Sequence, residues 1–438
     1  MYDYKMKLTK PQLEILSGKE GEIKAKVMET LVRFGDIFEA KKLVKVTHEC
    51  GHLVTSFGIG ILKPVFSTMD KIIEAGLTVD GKFTVDPRPL DYENVPCNMI
   101  EKLVFNKFIY GKQDLYEKQL EKIGLKNTDA FTCTCYLDEV GNTPKKGDVL
   151  SWAESSAVVF ANSVLGARCN RNSGMLDIFG SLVGYVPYFG FLTDEGRKAT
   201  WKVTIKTTQK PEAQILGSAI GMKVVGDVPY VYGLDSYIDP DIKNPDTISY
   251  LKDFGAATAS NGSVGLYHID KITPEAKELS DKLLSENVKE YVIDDAEMER
   301  VYKSYPIMWK NKNAKPHICF IGCPHLTLKQ LEDWTLSIEK GLKANNREKV
   351  YCHTVMTTAP DVLEVFKKTE FYNRALATGV KFSSICPLMY AESPLSQKHA
   401  IMTNSNKLRT YSCARYYKDQ EILDILTGGR KWKNSKEE

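Results

Sequence analysis

Short apolar segments alternate along the chain with longer segments in which apolar residues recur at helical spacing. Trp201–Ile205 alternates apolar and polar residues, which predicts a β-strand. His317–Gly322 is an apolar run that ends in Gly, Cys and Pro, which is typical of a buried strand opening into a loop. Leu328–Leu342 follows it with helical periodicity. This alternation predicts an α/β protein with several lobes and mixed or parallel sheets.

Capping residues mark several predicted helix ends. Thr9 and Pro11 are typical of a helix start, and Gly124 is a C-cap candidate after a charged amphipathic segment. Helices are further predicted at 23–37, 114–123, 153–165, 211–222, 273–287 and 328–342, and strands at 45–48, 131–136, 350–354 and 382–385.

Composition excludes several classes of protein. The 438 residues are 43% hydrophobic and 26% charged, and the net charge of +3 gives no basic face for nucleic acid. No apolar stretch is long enough to span a membrane, and the N-terminus lacks the apolar core of a signal peptide. We therefore expect a cytoplasmic protein, in which the ten cysteines serve as thiols or metal ligands rather than disulfides.

Three cysteines end apolar or β-like runs and suit a metal centre. Cys133, Cys323 and Cys386 each lie where a predicted strand gives way to a loop, and ligands gather at strand ends in α/β sheets. Three thiolates from separate loops can hold an iron–sulfur cluster and leave one iron without a protein ligand. The spacing alone also fits ordinary buried cysteines. Cys135 is a reserve ligand, because it would share a strand face with Cys133.

A second group of residues combines a carboxylate with amides and guanidinium groups. Asn and Arg around a glycine suit carboxylate recognition, because guanidinium pairs with carboxylate in bidentate geometry. A buried Arg–Glu pair with Asn caps is an equally good interpretation. The residues concerned are Glu154, Ser155, Asn162, Arg168, Asn170 and Arg171.

Two further segments contain candidate acid–base groups. Ser405 and Lys407 lie in a polar turn that provides hydroxyl and ammonium donors, although most such turns are only turns. His48 can exchange protons near neutral pH. The segment from His48 to His52 also matches the His-Glu-x-x-His pattern of helical zinc enzymes, but Gly51 argues against a helix there and no third ligand follows.

Several motifs in the correct order resemble the large, catalytic subunit of the aconitase X family, a branch of the aconitase superfamily. The most specific are Thr132-Cys-Thr134, Gly141-Asn-x-Pro144, Trp152-Ala-Glu-Ser-Ser-Ala157, Ala161–Arg168 with Asn170-Arg171, Pro211–Gly221, Gly322-Cys-Pro-His325 and Thr403-Asn-Ser-x-Lys407.

The resemblance implies an iron–sulfur hydro-lyase, with α/β lobes around a cluster cleft. Its ligand cysteines fall on Cys133, Cys323 and Cys386, and its early histidine falls on His48. Its substrate-pocket motifs fall on Ser405, Lys407 and the six residues of the second group. The cluster type, 2Fe-2S, 3Fe-4S or 4Fe-4S, stays open. The base would be Ser405 assisted by Lys407, or His48.

The resemblance also implies a substrate, a partner and a domain organisation. Cis-3-hydroxy-L-proline is the favoured substrate; the alternatives are mevalonate 5-phosphate and a non-catalytic or redox protein on the same scaffold. The family's small swivelling domain is not found in the chain, which implies a separate small subunit. We expect the catalytic region to span 1–425, with lobes near 1–130, 131–300 and 301–425, and a charged tail at 426–438.

The chain departs from the family pattern at a few positions. Cys135 stands where the family usually has Pro, and Cys169 where it has Thr; Asn172–Met175 and Glu49-Cys50 are also unusual. Because these positions line the presumed pocket, they bear directly on the substrate and on the cluster type.

Overall fold

The structure is a computed structural model that describes residues 4–393 and 395–428. Its helices are α1 (Lys10–Leu16), α2 (Glu22–Ile37), α3 (Lys63–Glu74), α4 (Met99–Val104), α5 (Gln113–Ile123), α6 (Ser155–Ser163), α7 (Leu176–Val183), α8 (Ala213–Val224), α9 (Pro245–Gly262), α10 (Pro274–Leu279), α11 (Asp295–Lys303), α12 (Leu328–Ala344), α13 (Pro360–Phe366), α14 (Glu370–Ala377), α15 (Pro387–Ala391), α16 (Asn406–Tyr411) and α17 (Asp419–Thr427).

The strands form two parallel sheets and two small pairs. A five-stranded sheet has the order β11-β10-β9-β12-β13, and a four-stranded sheet has the order β7-β6-β5-β8. The strands are β1 (Leu43–Lys45), β2 (Gly51–Leu53), β3 (Phe83–Val85), β4 (Tyr185–Pro187), β5 (Ala199–Ile205), β6 (Pro229–Tyr232), β7 (His268–Ile269), β8 (Leu284–Ile293), β9 (Ile318–Leu326), β10 (His353–Thr358), β11 (Lys381–Ser383), β12 (Ile401–Thr403) and β13 (Arg415–Tyr416). The predicted α/β class with parallel sheets is confirmed.

Helices α6, α8 and α9 are rich in small residues and form the buried centre of the largest apolar cluster. At the crossing of α8 and α9, a Cβ atom on Gly262 would lie 1.8 Å from the carbonyl oxygen of Gly221. Glycine is therefore required for this close approach of two backbones. At the other end of α8, Gln214 hydrogen-bonds Asn406 of α16, which carries the predicted site residue Lys407.

Three predicted elements are wrong. The strand predicted at 45–48 shares only Lys45 with β1, because the pairing with β4 ends at that residue. Phe131–Tyr136 is a turn, joined to β3 only through a bridge between Val85 and Phe131, because the Thr132 hydroxyl accepts a hydrogen bond from the backbone of Thr134 and closes the chain locally. The helix predicted at 273–287 ends at Leu279, and β8 then pairs with β5. Sheet pairing there overrides the helical periodicity of the sequence.

The helices and strands do not by themselves define where one predicted lobe ends and the next begins. The lobe boundaries therefore stay predictions. The last helix extends to Thr427, so the first residues of the predicted tail at 426–438 are helical. Residues 429–438 lie outside the described residues. In the parts of the chain that the structure describes, every helix is too short or too polar to cross a bilayer.

Candidate active site

The three cysteines predicted as ligands lie in three separate segments of the chain. Cys323 lies in β9, directly after Gly322, where φ is +109° and a Cβ atom would lie 2.4 Å from the Thr357 carbonyl oxygen. Cys386 is the N-cap of α15, and its backbone N–H donates a hydrogen bond to the carbonyl oxygen of Arg88. Cys133 lies in the turn that follows the bridge to β3.

His325 connects all three segments. Its Nδ1 is 3.0 Å from the hydroxyl of Thr132, beside Cys133, and its Nε2 is 3.0 Å from the carbonyl oxygen of Ile385, beside Cys386. Its backbone N–H also donates to the sulfur of Cys133 at 3.4 Å. Burial lowers the pKa of His325 to about 4, so the neutral ring donates from Nε2 and accepts at Nδ1. The sequence motif contains His325, but sequence reasoning gave it no role.

The three thiols share one ammonium group. All are free thiols, and burial raises the pKa of Cys133, Cys323 and Cys386, to about 12 for Cys386. The Lys407 ammonium acts in the opposite direction on each of them. Among residues 4–393 and 395–428, no three His, Cys, Asp or Glu side chains converge closely enough for a single metal ion. The shared influence of Lys407 places the three thiols in one region of the protein.

Lys407 and Glu154 form a buried ion pair beside the thiols. The Lys407 Nζ lies 2.5 Å from Glu154 Oε1. Glu154 is the N-cap of α6, where its other oxygen accepts hydrogen bonds from the backbone of Ala157 and the hydroxyl of Ser156. Burial alone would raise the pKa of Glu154, but Lys407 and these donors hold it at about 2. The carboxylate is therefore ionised.

Helix α16 places Ser405 and Lys407. Ser405 is its N-cap and accepts a hydrogen bond from the Leu408 backbone at 3.1 Å. Asn406, between them, bonds both the side chain and the carbonyl of Gln214 at the start of α8, at 2.9 and 2.7 Å. These contacts fix the helix start against the core. The Ser405 hydroxyl also stabilises the thiolate form of Cys323.

The predicted anion-binding group divides between the two ends of α6. Glu154 and Ser155 begin the helix and lie at the site, whereas the residues beyond its C-terminal end mainly hold the fold. Asn162 donates to the carbonyls of Cys169 and Gly265 (2.8 and 2.9 Å), Arg168 donates to Leu192 O (2.8 Å) and pairs with Asp194 (2.5 Å), and Asn170 donates to Phe189 O (3.0 Å). The side chains of Asn162, Arg168 and Asn170 are therefore engaged by other parts of the chain, and their predicted role in substrate binding stays a prediction.

Arg171 lies nearer to the site than Arg168. Burial lowers the pKa of its guanidinium group, and the charge of Glu154 acts in the opposite direction. It donates one hydrogen bond to the carbonyl of Ser263, at the C-terminal end of α9.

The helical zinc motif is not formed. His52 lies in β2 rather than in a helix, because Gly51–Leu53 pairs with β3. His48 instead hydrogen-bonds Asn142 at 2.8 Å and lines a neighbouring cavity of about 560 Å³. The zinc alternative is therefore wrong in its geometry.

The two unusual cysteines have other neighbours. Cys135 is buried beside Thr84 and Cys50, and burial raises its pKa. Cys169 donates to the carbonyl of Asn170 at 3.2 Å and packs in the central core.

Comparison with known proteins identifies the family. The model of the aconitase X first domain matches residues 5–195, and that of the aconitase X second domain matches residues 180–303. The chain belongs to the aconitase X family. A crystal structure of Thermococcus kodakaraensis aconitase X in its holo form superposes with a TM-score of 0.79 at 27% identity, covering 96% of this chain and all of that one. The predicted family and the aconitase X fold are thus confirmed.

Two named relatives place the chain among hydro-lyases. The phosphomevalonate dehydratase large subunit of Thermococcus kodakarensis is 33% identical over 75% of this chain and 76% of its own length. The cis-3-hydroxy-L-proline dehydratase of Hypocrea jecorina is 29% identical over 74% of this chain but only 52% of its own length. Dehydratases are hydro-lyases, so the predicted enzyme class is confirmed and the non-catalytic alternative is set aside.

Proposed function

We propose that this aconitase X chain is the catalytic large subunit of an iron–sulfur dehydratase that acts on mevalonate 5-phosphate. The observation that carries the proposal is the grouping of the Cys133, Cys323 and Cys386 thiols around Lys407, beside the ionised Glu154. Metal ligation requires these thiols to ionise, and the Lys407 ammonium favours their thiolate forms against the effect of burial.

The donor set fits an iron–sulfur cluster. Three thiols come from three segments held in register by one neutral histidine, and none is consumed in a disulfide. When bound, a cluster held by three cysteines supplies a Lewis-acidic iron for a substrate hydroxyl. Iron and sulfide analysis distinguishes the 2Fe-2S, 3Fe-4S and 4Fe-4S types.

Ser405 is proposed as the base. It lies at the positive end of α16, and the Lys407 ammonium lies two residues along, so both stabilise negative charge on its oxygen. Ser405 takes the proton from the carbon next to the substrate carboxylate. Glu154 holds Lys407 in place during this step. His48, which lies behind Asn142, is the less favoured base.

Two guanidinium groups favour a phosphorylated substrate. Arg171 donates to the carbonyl of Ser263, and Arg409, in α16, donates to the side chain of Asn261 at 2.5 Å. Both therefore flank the C-terminal end of α9, which stabilises cations. A pair of guanidinium groups suits a phosphate better than the ring of hydroxyproline does.

The relatives support the same substrate. The phosphomevalonate dehydratase large subunit of Thermococcus kodakarensis matches most of its length, whereas the hydroxyproline dehydratase matches about half. The sequence favoured cis-3-hydroxy-L-proline; we now prefer mevalonate 5-phosphate. Because the relative is named a large subunit, we also propose a separate small subunit as the partner of this chain.

Anaerobic copurification of the chain with a small subunit tests the proposal. We expect iron and sulfide in the complex, and water loss from mevalonate 5-phosphate at a kcat/KM at least tenfold above that for cis-3-hydroxy-L-proline. The reverse preference would reject the substrate assignment.

Cysteine variants test the cluster assignment. Cys386→Ala should lose cluster absorbance and activity, because one thiolate ligand is removed. Cys319→Ala is the control, since Cys319 is a free thiol in β9, the strand of the proposed ligand Cys323, but packs in the central core. Retained absorbance in Cys386→Ala, or equal loss in both variants, would contradict the ligand set.

A further inference from the structure

The side chains of His52 and Asp86 lie opposite each other without a hydrogen bond between them. His52 lies in β2 and is fully buried; Asp86 directly follows β3 and its side chain is 17% exposed. The His52 Nε2 and Asp86 Oδ1 atoms are 3.5 Å apart, and each is a buried atom with no hydrogen-bond partner among residues 4–393 and 395–428. Native proteins leave few such atoms unpaired, and each asks for an explanation.

A chain of hydrogen bonds fixes the tautomer of His52. Asn142 donates to the carbonyl of Gly51 at 2.9 Å and to the Thr84 hydroxyl at 2.8 Å. That hydroxyl lies 2.9 Å from His52 Nδ1, nearer than its other acceptor, the Gly51 carbonyl at 3.4 Å. The Thr84 hydrogen is therefore directed to Nδ1, and the ring hydrogen is left on Nε2, toward Asp86.

Asp86 is the site carboxyl that has no cation of its own. Glu154 and Lys407 satisfy each other at 2.5 Å, whereas the charge partner of Asp86 among the described residues is the ring of His52, at 3.5 Å. Burial, and then the charge of Glu154, raise the pKa of Asp86 to about 7. The charges of His52 and Lys407 act in the opposite direction. A group with this pKa is half protonated near neutral pH, which suits proton donation.

We propose that Asp86 is a further catalytic residue, which donates a proton to the departing hydroxyl, and that His52 positions it. This inference rests on the proposed dehydration. Ser405 takes the proton from the carbon next to the carboxylate, and that electron pair forms the double bond. The bond from carbon to the hydroxyl oxygen breaks with its electrons on oxygen, which takes the Asp86 proton and leaves as water. Asp86 is then an anion and Ser405 is protonated. Transfer of one proton from Ser405 to Asp86 restores the starting state.

A purely structural pair would have a different geometry. A buried carboxylate that only stabilises the fold is expected within about 2.7–2.9 Å of its donor. Asp177 illustrates this in the same part of the chain: its oxygens accept hydrogen bonds from the backbones of Val54 and Ile178 at 2.9 and 2.8 Å. Burial also raises the pKa of Asp177, to about 6, so the two carboxyls differ chiefly in whether partners satisfy them.

Asp86→Asn, with Asp177→Asn as the matched control, tests the inference in the complex with the small subunit. We expect kcat of Asp86→Asn to fall at least about 100-fold, with KM within about threefold, unchanged cluster absorbance and an equal or higher Tm, because a charge without a cation is removed from a buried position. Asp177→Asn should lower Tm and keep kcat within about threefold.

The positioning role of His52 is tested through Thr84→Val. The loss of the hydroxyl frees the tautomer of His52, so kcat should fall about tenfold and the alkaline limb of the pH–rate profile should move, which a packing defect alone would not cause.

Several outcomes would overturn the inference. Wild-type kcat in Asp86→Asn would reject the catalytic role, and lost cluster absorbance or a lowered Tm would make Asp86 structural. If the wild-type complex dehydrates no hydroxy acid, the proposed function fails instead. The Tm of Asp86→Asn then still shows whether Asp86 destabilises the folded chain, as expected of a functional group, or stabilises it.

Discussion

Two buried histidines of the site differ in how their ring nitrogens are satisfied. His325 uses both, one with the Thr132 hydroxyl and the other with the Ile385 carbonyl. His52 uses only Nδ1, and its Nε2 faces Asp86 at 3.5 Å without a hydrogen bond. Both rings are completely buried, so burial does not explain the difference.

The comparison separates architecture from chemistry. A buried polar group with all its partners stabilises one arrangement of the chain, whereas an unpaired one destabilises it by about 1–3 kcal/mol. His325 therefore holds the three cysteine segments together. The pair of His52 and Asp86 is left to contact a molecule that the fold itself does not supply.

The largest expected effect follows removal of His325. His325→Ala should lower the free energy of unfolding by about 3 kcal/mol, because it leaves the Ile385 carbonyl unpaired in a dry region and removes one partner of the Thr132 hydroxyl. It should also abolish cluster incorporation, since the segments of Cys133 and Cys386 lose their common support. Denaturant unfolding and absorbance after reconstitution measure the two effects.

His268 provides the control for that variant. It is equally buried, it hydrogen-bonds the carbonyl of Arg197 at 2.8 Å, and burial lowers its pKa to about 4 as well. His268→Ala should cost comparable stability and keep the cluster in whatever fraction folds. If both variants lose the cluster equally, His325 has no specific role.

A smaller effect concerns the pH dependence of stability on the His52 side. The pKa of Asp86 is raised to about 7 in the folded chain, above its ordinary value of 3.8. Its favourable contribution is therefore complete below pH 3.8 and is lost as pH rises through 7. Between pH 5 and 8, the free energy of unfolding of Asp86→Asn should increase relative to that of the wild-type chain by about 2 kcal/mol. The difference in Tm between the two should grow over the same range. A constant difference across that range would contradict the raised pKa.

The sequence predicted the elements that local chemistry determines. Strand β5 alternates cleanly, and α5 ends at Gly124 as its C-cap residue indicates. Cys133, Cys323 and Cys386 were predicted to follow strands, and two of these strands are confirmed, but β9 continues through Cys323 to Leu326. The turn around Cys133 was missed, because β-forming residues there are closed by the Thr132 side chain instead of pairing along a strand.

The sequence could not show which polar residues would remain unpaired. Asp86 follows a three-residue strand and carries no motif, so only the position of its partners reveals it. His325 stood inside a recognised motif, but its two contacts are 193 and 60 residues away. Asn162 and Arg168 looked like anion ligands because donor groups are the same whether they bind a substrate or a backbone carbonyl.

The smallest expected effect concerns Arg168 and Arg171, which differ in how their guanidinium groups contact the rest of the chain. Arg168 pairs with the exposed Asp194 and donates to the carbonyl of Leu192, whereas Arg171 makes one backbone contact near Glu154. Arg168→Lys should change KM less than threefold and cost at most about 1 kcal/mol, since an exposed ion pair contributes little. Arg171→Lys should raise KM for mevalonate 5-phosphate about tenfold, because an ammonium cannot replace bidentate guanidinium contacts. If instead Arg168→Lys alone weakened substrate binding, Arg168 would turn toward the substrate when it binds, and contacts satisfied in the free chain would not distinguish structural from functional side chains.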